Sequence, residues 1–329
     1  MLHPDRPGLQ AAAIAFAALV PFNIYIAGTI SNAGLLAFLA AGAVVFGAEL
    51  MRDPEVRPLR VAAVSAWLGL ALLTKYTALV ALAVVGPFVL LRILSAGERS
   101  PWRRGRDALW LVAPAALVAG WFYARNLAVY GRALVPNWDL PGPGRVWWSP
   151  PGFHTADYYL GFGRALSEPY YASFGSFWDG LYSTLFGDGL LSGAPGLPDI
   201  LVPWNLEWMS VGFWAALPIA ALIVVGALDW LREAVREPDP RRATALALPL
   251  VYTAAMLFAI FYATLSLPFF GQARASYGLS IAPVLALAFA RGLSLVGVRR
   301  SKWARRGLPA LLGAVCAVWA LSVAGAFLG

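Results

Sequence analysis

Ala71-Leu72-Leu73-Thr74-Lys75-Tyr76-Thr77-Ala78-Leu79 lies in the middle of an apolar run from Val61 to Leu91 in which Lys75 is the single charged residue. A run of that length, punctuated once by four polar residues, reads as two membrane-crossing helices joined by a tight hairpin, at about 59–75 and 77–94. Lys75 is thereby pinned near the hydrocarbon boundary with little loop to relax into. A charge so placed needs a counter-ion.

The same pattern recurs on either side. Of the 329 residues, 60% are hydrophobic and 13% charged, and the mean hydropathy is +0.68, which excludes a soluble globule. Nine spans are expected, at about 9–30, 33–51, 59–75, 77–94, 108–126, 209–231, 244–268, 275–292 and 307–328. The fold class is an all-α polytopic membrane protein with one large, mainly helical extracytoplasmic loop. Its expected organisation is a five-span bundle over 1–126, a loop domain over 127–208 and a four-span bundle over 209–329. Pro21 and Asn23 interrupt the first span, and Pro218, Pro249 and Pro283 later ones, breaks that neighbouring helices can satisfy inside a bundle. The residues Met1 to Gln10 hold one Arg, one Asp and two prolines, unlike a basic leader, so a cleaved signal is not expected. The one cysteine, Cys316, excludes an intramolecular disulfide.

Basic residues set the orientation. With the amino end inside, 19 of the 25 Lys and Arg residues face the cytoplasm, and the long loop, which carries more acids than bases, lies outside with the carboxyl end. Arginine outnumbers lysine 23 to 2, usage that points to a GC-rich bacterial genome and hence to a bacterial cytoplasmic membrane. The net charge of +8 is accounted for by this orientation and implies no nucleic acid.

Most of the residues able to do polar chemistry sit in the loop Leu127 to Trp208, among them Asp139, Asp157, Glu168, Asp179, Asp188, Asp199, Glu207 and His154, with many aromatics. His154, Asp157, Tyr158 and Tyr159 cluster an imidazole, a carboxylate and stacking surfaces. In a helix starting near Thr155, Asp157 falls in the first turn, where it also complements the helix dipole. A divalent ion on His154 and Asp157 is the minor alternative, since two ligands make a poor site. Trp178, Asp179 and Asp188 repeat the mixture; aromatic faces stack on a sugar ring while carboxylates accept its hydroxyl protons. Asp157, Asp179 and Asp188 are therefore the weak catalytic candidates, against the plainer roles of helix cap for Asp179 and turn for Asp188-Gly189.

Six basic residues fall on the outer side: Lys75, Arg125, Arg132, Arg145, Arg164 and Arg274. Lys75, Arg125 and Arg274 end different spans, and cations held there can converge on an anion such as the phosphate of a lipid carrier. The plainer reading is that each merely reaches for the headgroups.

The run Leu72 to Leu79 resembles the "L-T-K-x-x-x" hairpin of the bacterial GT-C glycosyltransferases, the superfamily of protein mannosyltransferases and aminoarabinose transferases (family 39-like). Gly120-Trp121-Phe122-Tyr123-Ala124-Arg125-Asn126-Leu127-Ala128-Val129-Tyr130-Gly131 is similar to their "W-x-x-R-N-x-x-x-Y-G", which ends a span and opens the outer loop. Gln272-Ala273-Arg274 followed by Tyr277 and Pro283 is similar to their "R-Y-x-x-P", with looser spacing. The resemblance covers about Pro21 to Pro283. It implies transfer of a sugar from a polyprenyl-phosphate donor to a glycan, lipid or protein acceptor on the outer face. Lys75, Arg125 and Arg274 would bind the lipid phosphate, and Tyr76, Asn126, His154, Tyr158, Trp178 and Tyr277 the sugar or substrate. The match departs at Ser31-Asn32-Ala33-Gly34-Leu35, where Ala33 stands in place of the family's aspartate. The resemblance starts at what corresponds to the family's third span, so the two preceding spans and their acidic loop have no counterpart here. That implies a truncated chain, one part of a split enzyme, or a base supplied by the large loop. The alternatives are a transporter or flippase, disfavoured because Glu49 and Asp229 lie near span ends and no internal repeat is evident, and a non-catalytic binding protein for lipid-linked sugars.

Overall fold

The computed structural model of the chain describes residues 7–27, 31–97, 100–135, 155–169, 171–190, 205–266, 273–299, 313–315 and 317–321, and every regular element among them is helical. In chain order these are α1 (Pro7–Leu19), α2 (Pro21–Ala27), α3 (Asn32–Arg52), α4 (Pro58–Thr74), a 3-10 turn (Tyr76–Ala78), α5 (Leu79–Leu94) and α6 (Pro101–Ala115). A π-helical turn (Ala116–Gly120) then leads into α7 (Trp121–Tyr130). The remainder comprises α8 (Ala156–Leu160), α9 (Arg164–Ser167), a 3-10 turn (Ala172–Phe174), α10 (Phe177–Phe186), α11 (Leu206–Arg236), α12 (Pro240–Ser266), a 3-10 segment (Ala275–Ile281) and α13 (Ala282–Arg299).

Six of these helical stretches are long and apolar enough to cross a bilayer: Asn32–Arg52, Tyr76–Leu94, Pro101–Tyr130, Leu206–Arg236, Pro240–Ser266 and Ala275–Val296. Among the described residues the protein is all-helical, and these apolar stretches make it a multi-pass membrane protein. The expected first span is divided, because Pro21 has no N–H for the ladder and its ring collides with the preceding turn, leaving helices of 13 and 7 residues. The expected third span is α4, whose 17 residues rise about 26 Å against a hydrocarbon core of about 30 Å. Most of the expected ninth span lies outside the described residues.

Local chemistry explains where helices start. Ser31 caps α3 by accepting from the Ala33 N–H at 3.1 Å, and Ser100 caps α6 by accepting from the Arg103 N–H at 3.4 Å. Pro58 and Pro101 occupy first turns, where a missing N–H costs nothing. Gly131 ends α7 in the left-handed region (φ 69°), its N–H donating to the Leu127 carbonyl.

The chain forms two compact units. The first comprises Met1–Ile30, Arg145–Asp229 and Phe258–Gly329, the second Ser31–Gly144 and Trp230–Leu257. In the first, Phe16 of α1, Phe186 of α10, Phe213 and Ile219 of α11 and Phe289 of α13 share one buried core with Trp319. Phe16 stacks on Phe289 at 5.0 Å. Helices α11 and α13 touch backbone to backbone. A Cβ at Gly226 would stand 1.8 Å from the Ala288 carbonyl oxygen, and one at Gly292 would stand 2.1 Å from that of Leu222. Small residues at such crossings supply the dispersion contact that stands in for the hydrophobic effect in lipid. The described loop helices α8 to α10 pack within this same unit, through Ala165, Ala172, Tyr182 and Phe186.

In the second unit α4 is central, packed against α3 and α6. Ser65, fully buried in α4, accepts a hydrogen bond from the Ala115 N–H at 3.0 Å. This bond falls one residue after Pro114, where the ring disturbs the ladder and the helix widens into its π turn.

Candidate functional site

The end of α4 is a fastened turn. Its last residues carry carbonyls that no further helical turn can satisfy, and two side chains from elsewhere take them up. Tyr123 Oη of α7 donates to the Leu72 carbonyl at 2.9 Å, and Asn32 Nδ2 at the start of α3 donates to the Thr74 carbonyl at 3.3 Å. Thr74 turns its own hydroxyl back onto the Leu70 carbonyl at 2.8 Å. Lys75 then adopts extended backbone (φ −162°, ψ 138°), and its carbonyl accepts from the Ala78 N–H at 3.0 Å to open the 3-10 turn. Beneath the turn lie Leu36, Leu39, Ala71, Leu72, Ala78 and Ala119, a small apolar core drawn from α3, α4, the 3-10 turn and the π turn.

Three segments quoted separately from the sequence therefore meet here: Asn32 from the Ser31-to-Leu35 run, Lys75 from the hairpin and Tyr123 from the Gly120-to-Gly131 run. Lys75, Tyr76 and Thr77 are each half-buried, and the Thr77 hydroxyl is a buried oxygen with no hydrogen-bond partner among the described residues. The turn thus presents a cation and a hydroxyl on backbone held from both sides.

Arg125 is placed differently. Tyr123 and Asn126 are three residues apart and share the inward face of α7, Asn126 being buried with its Nδ2 on the Ala133 carbonyl at 3.2 Å. Arg125, about 200° around the helix from Tyr123, is exposed on the other side. Asn126 fastens the chain that follows α7 and is not an open ligand position.

Arg274 belongs to the first unit, so the three cations are divided between the units. It sits in extended backbone (φ −126°, ψ 140°) between buried Ala273 and half-buried Ala275. Thr184 of α10 holds the start of the 3-10 segment: its hydroxyl accepts from the Ala275 N–H at 2.8 Å and donates to the Gly180 carbonyl at 2.6 Å. Tyr277 follows in the 3-10 segment, half-buried, with its N–H on the Arg274 carbonyl at 3.2 Å.

Asp179 is a buried cap. Its Oδ1 accepts from the N–H groups of Gly163 and Ala165, both at 3.0 Å, and its Oδ2 accepts from the Ser176 hydroxyl at 2.8 Å, while that hydroxyl accepts from the Asp179 N–H. With 2% exposure the carboxylate is consumed by α9, α10 and their connection, and it has no open face for a substrate. Asp157, in the first turn of α8, is exposed. Asp188 is half-buried just after α10.

Trp178 donates its indole N–H to the Tyr159 carbonyl at 2.9 Å and stays 50% exposed, which leaves a ring face open. Tyr158 is buried, and that burial, followed by the neighbouring Tyr159, pushes its phenol up to about 12, so the hydroxyl stays neutral. His154 lies outside the described residues. Among the described residues no three His, Cys, Asp or Glu side chains gather as a metal site.

Two features of the site escape a reading of spacing alone. Asn32 and Tyr123 are polar residues at span ends, and their reach to α4 carbonyls depends on helix packing. The Asp179 cap did leave a signal, the Ser176-x-x-Asp179 spacing of a capping box.

Compared with known proteins, the chain matches no family model, no curated protein and no solved structure.

Proposed function

We propose that the chain is an integral-membrane glycosyltransferase of the GT-C type, taking a sugar from a polyprenyl-phosphate donor at the outer face of a bacterial cytoplasmic membrane. The observation that carries this reading is the Lys75 turn, whose backbone is fastened by Asn32 and Tyr123 so that a half-buried lysine springs from a held span end. Fixed donors aimed at developing charge are the main source of rate enhancement in such sites. In this reading the acceptor hydroxyl oxygen bonds to the anomeric carbon with inversion as the bond to polyprenyl phosphate breaks, its proton passes to solvent, and Lys75 stabilises the charge growing on the departing phosphate. Arg125, exposed on the far side of α7, serves the headgroup boundary instead.

A second reading, a non-catalytic binding protein for the same lipid, is favoured by the complete engagement of Asp179 as a cap. The two are separated by assay. Membranes containing the chain, incubated with labelled polyprenyl-phosphate sugar and an acceptor extract, release free polyprenyl phosphate if the chain is a transferase. A binding protein retains the intact donor and releases none.

A further inference from the structure

At the end of the second unit opposite the Lys75 turn, a cavity of about 860 Å³ opens between the close of α3, the close of α5 and the start of α12. Its apolar lining comes from Met51, Val56, Phe88 and Leu91; Met51 and Val56 are fully buried, whereas Leu91 is 64% exposed. The cavity is therefore continuous with the outward face of α5, where Leu90 and Leu94 are also exposed. The close of α5 also brings Arg92 and Ser95 to the lining, and the start of α12 brings Arg241 and Thr244.

The charges around it are unevenly committed. Arg92 is 8% exposed and donates Nη2 to the Asp53 carbonyl at 2.6 Å and the Pro54 carbonyl at 3.3 Å, which fixes its guanidinium at the wall. Asp239 spends one carboxylate oxygen on the Arg241 N–H at 3.0 Å, capping α12. Glu55 pairs with Arg57 at 3.9 Å. The Arg241 side chain is exposed at the mouth, and its guanidinium has no partner among the described residues. The volume suits a substantial part of a small amphiphile, and basic pockets between spans are fitted to anionic headgroups.

We infer that this cavity is a binding site for an anionic phospholipid, with the phosphate between Arg92 and Arg241 and an acyl chain running along Phe88 and Leu91 onto the face of α5. The site is separate in sequence and position from the Lys75 turn and does not depend on the glycosyltransferase reading.

The test uses the full chain purified in detergent and titrated with phosphatidylglycerol, phosphatidylcholine or inorganic phosphate, reading thermal stability and retained lipid by mass spectrometry. Arg241→Ala removes the exposed cation, and Ala96→Trp fills the cavity from its lining without touching either arginine. Saturable phosphatidylglycerol binding, at least fivefold weaker in Arg241→Ala and lost in Ala96→Trp while both variants melt as wild type without lipid, supports the site. Equal response to phosphatidylcholine, equal binding of inorganic phosphate, or phosphatidylglycerol binding unchanged in both variants overturns it. If Ala96→Trp melts early, Thr244→Trp replaces it under the same criteria.

Discussion

Tyr123 and Leu72 are joined by a hydrogen bond of 2.9 Å from a side-chain hydroxyl to a backbone carbonyl at the end of a helix. That bond attaches α7 to the last turn of α4 three residues before Lys75, and the lysine inherits its position from it. Tyr123→Phe keeps the ring and removes the bond, so the expected cost is about 1 kcal/mol of stability. On the proposed transferase reading, donor turnover falls several-fold with little change in expression, as measured by release of polyprenyl phosphate per mole of protein.

Asn32 acts on the same turn from α3. Asn32→Ala leaves the Thr74 carbonyl to water or lipid, and the double variant with Tyr123→Phe should lose more turnover than either single change. The cycle is read on initial rates at saturating donor. Single and double variants all matching wild type would mean that the turn holds itself.

Asp179 makes a different kind of prediction. Its carboxylate satisfies two buried N–H groups and a serine hydroxyl, and each donor left unpaired costs about 1–3 kcal/mol. Asp179→Ala should therefore lower the melting temperature and the yield of folded protein markedly. Asp157→Ala, which removes an exposed carboxylate, should leave both unchanged. The comparison is made by thermal melts in detergent; similar melts for the two variants would contradict the capping role.

The crossing of α11 and α13 leaves no room at Gly226. Gly226→Val must push the two backbones apart and should abolish folded yield, because the clash is with backbone atoms that cannot rotate away. Gly8→Ala, where a Cβ meets nothing within 4 Å, serves as the tolerated control. Size-exclusion profiles in detergent distinguish them.

Much of this fold was legible because hydropathy and length report directly on bilayer crossing. Expected segments at 33–51, 77–94, 209–231 and 275–292 each coincide with a full-length helix. What was not legible is which segments pack together. Hydropathy carries no partner information, so the stretch over 127–208 read as a separate domain, whereas Ala165, Tyr182 and Phe186 share the core of α1, α11 and α13. Pro114 signalled a disturbance, but its π turn and the buried Ser65 that meets it are products of helix packing. At the site, Lys75 stood out because it is a lone charge in a long apolar run. Asn32 and Tyr123 did not, since a polar residue at a span end has many ordinary uses.

The central claim is that Lys75 grips the phosphate of a lipid-linked sugar and that this grip drives transfer. Membranes carrying wild type, Lys75→Ala, Lys75→Arg or Arg125→Ala are incubated with labelled polyprenyl-phosphate sugar, and sugar transfer is measured at matched levels of folded protein. The account predicts a loss of at least a hundredfold in Lys75→Ala, partial retention in Lys75→Arg and near-normal transfer in Arg125→Ala. Transfer in Lys75→Ala equal to wild type would contradict it.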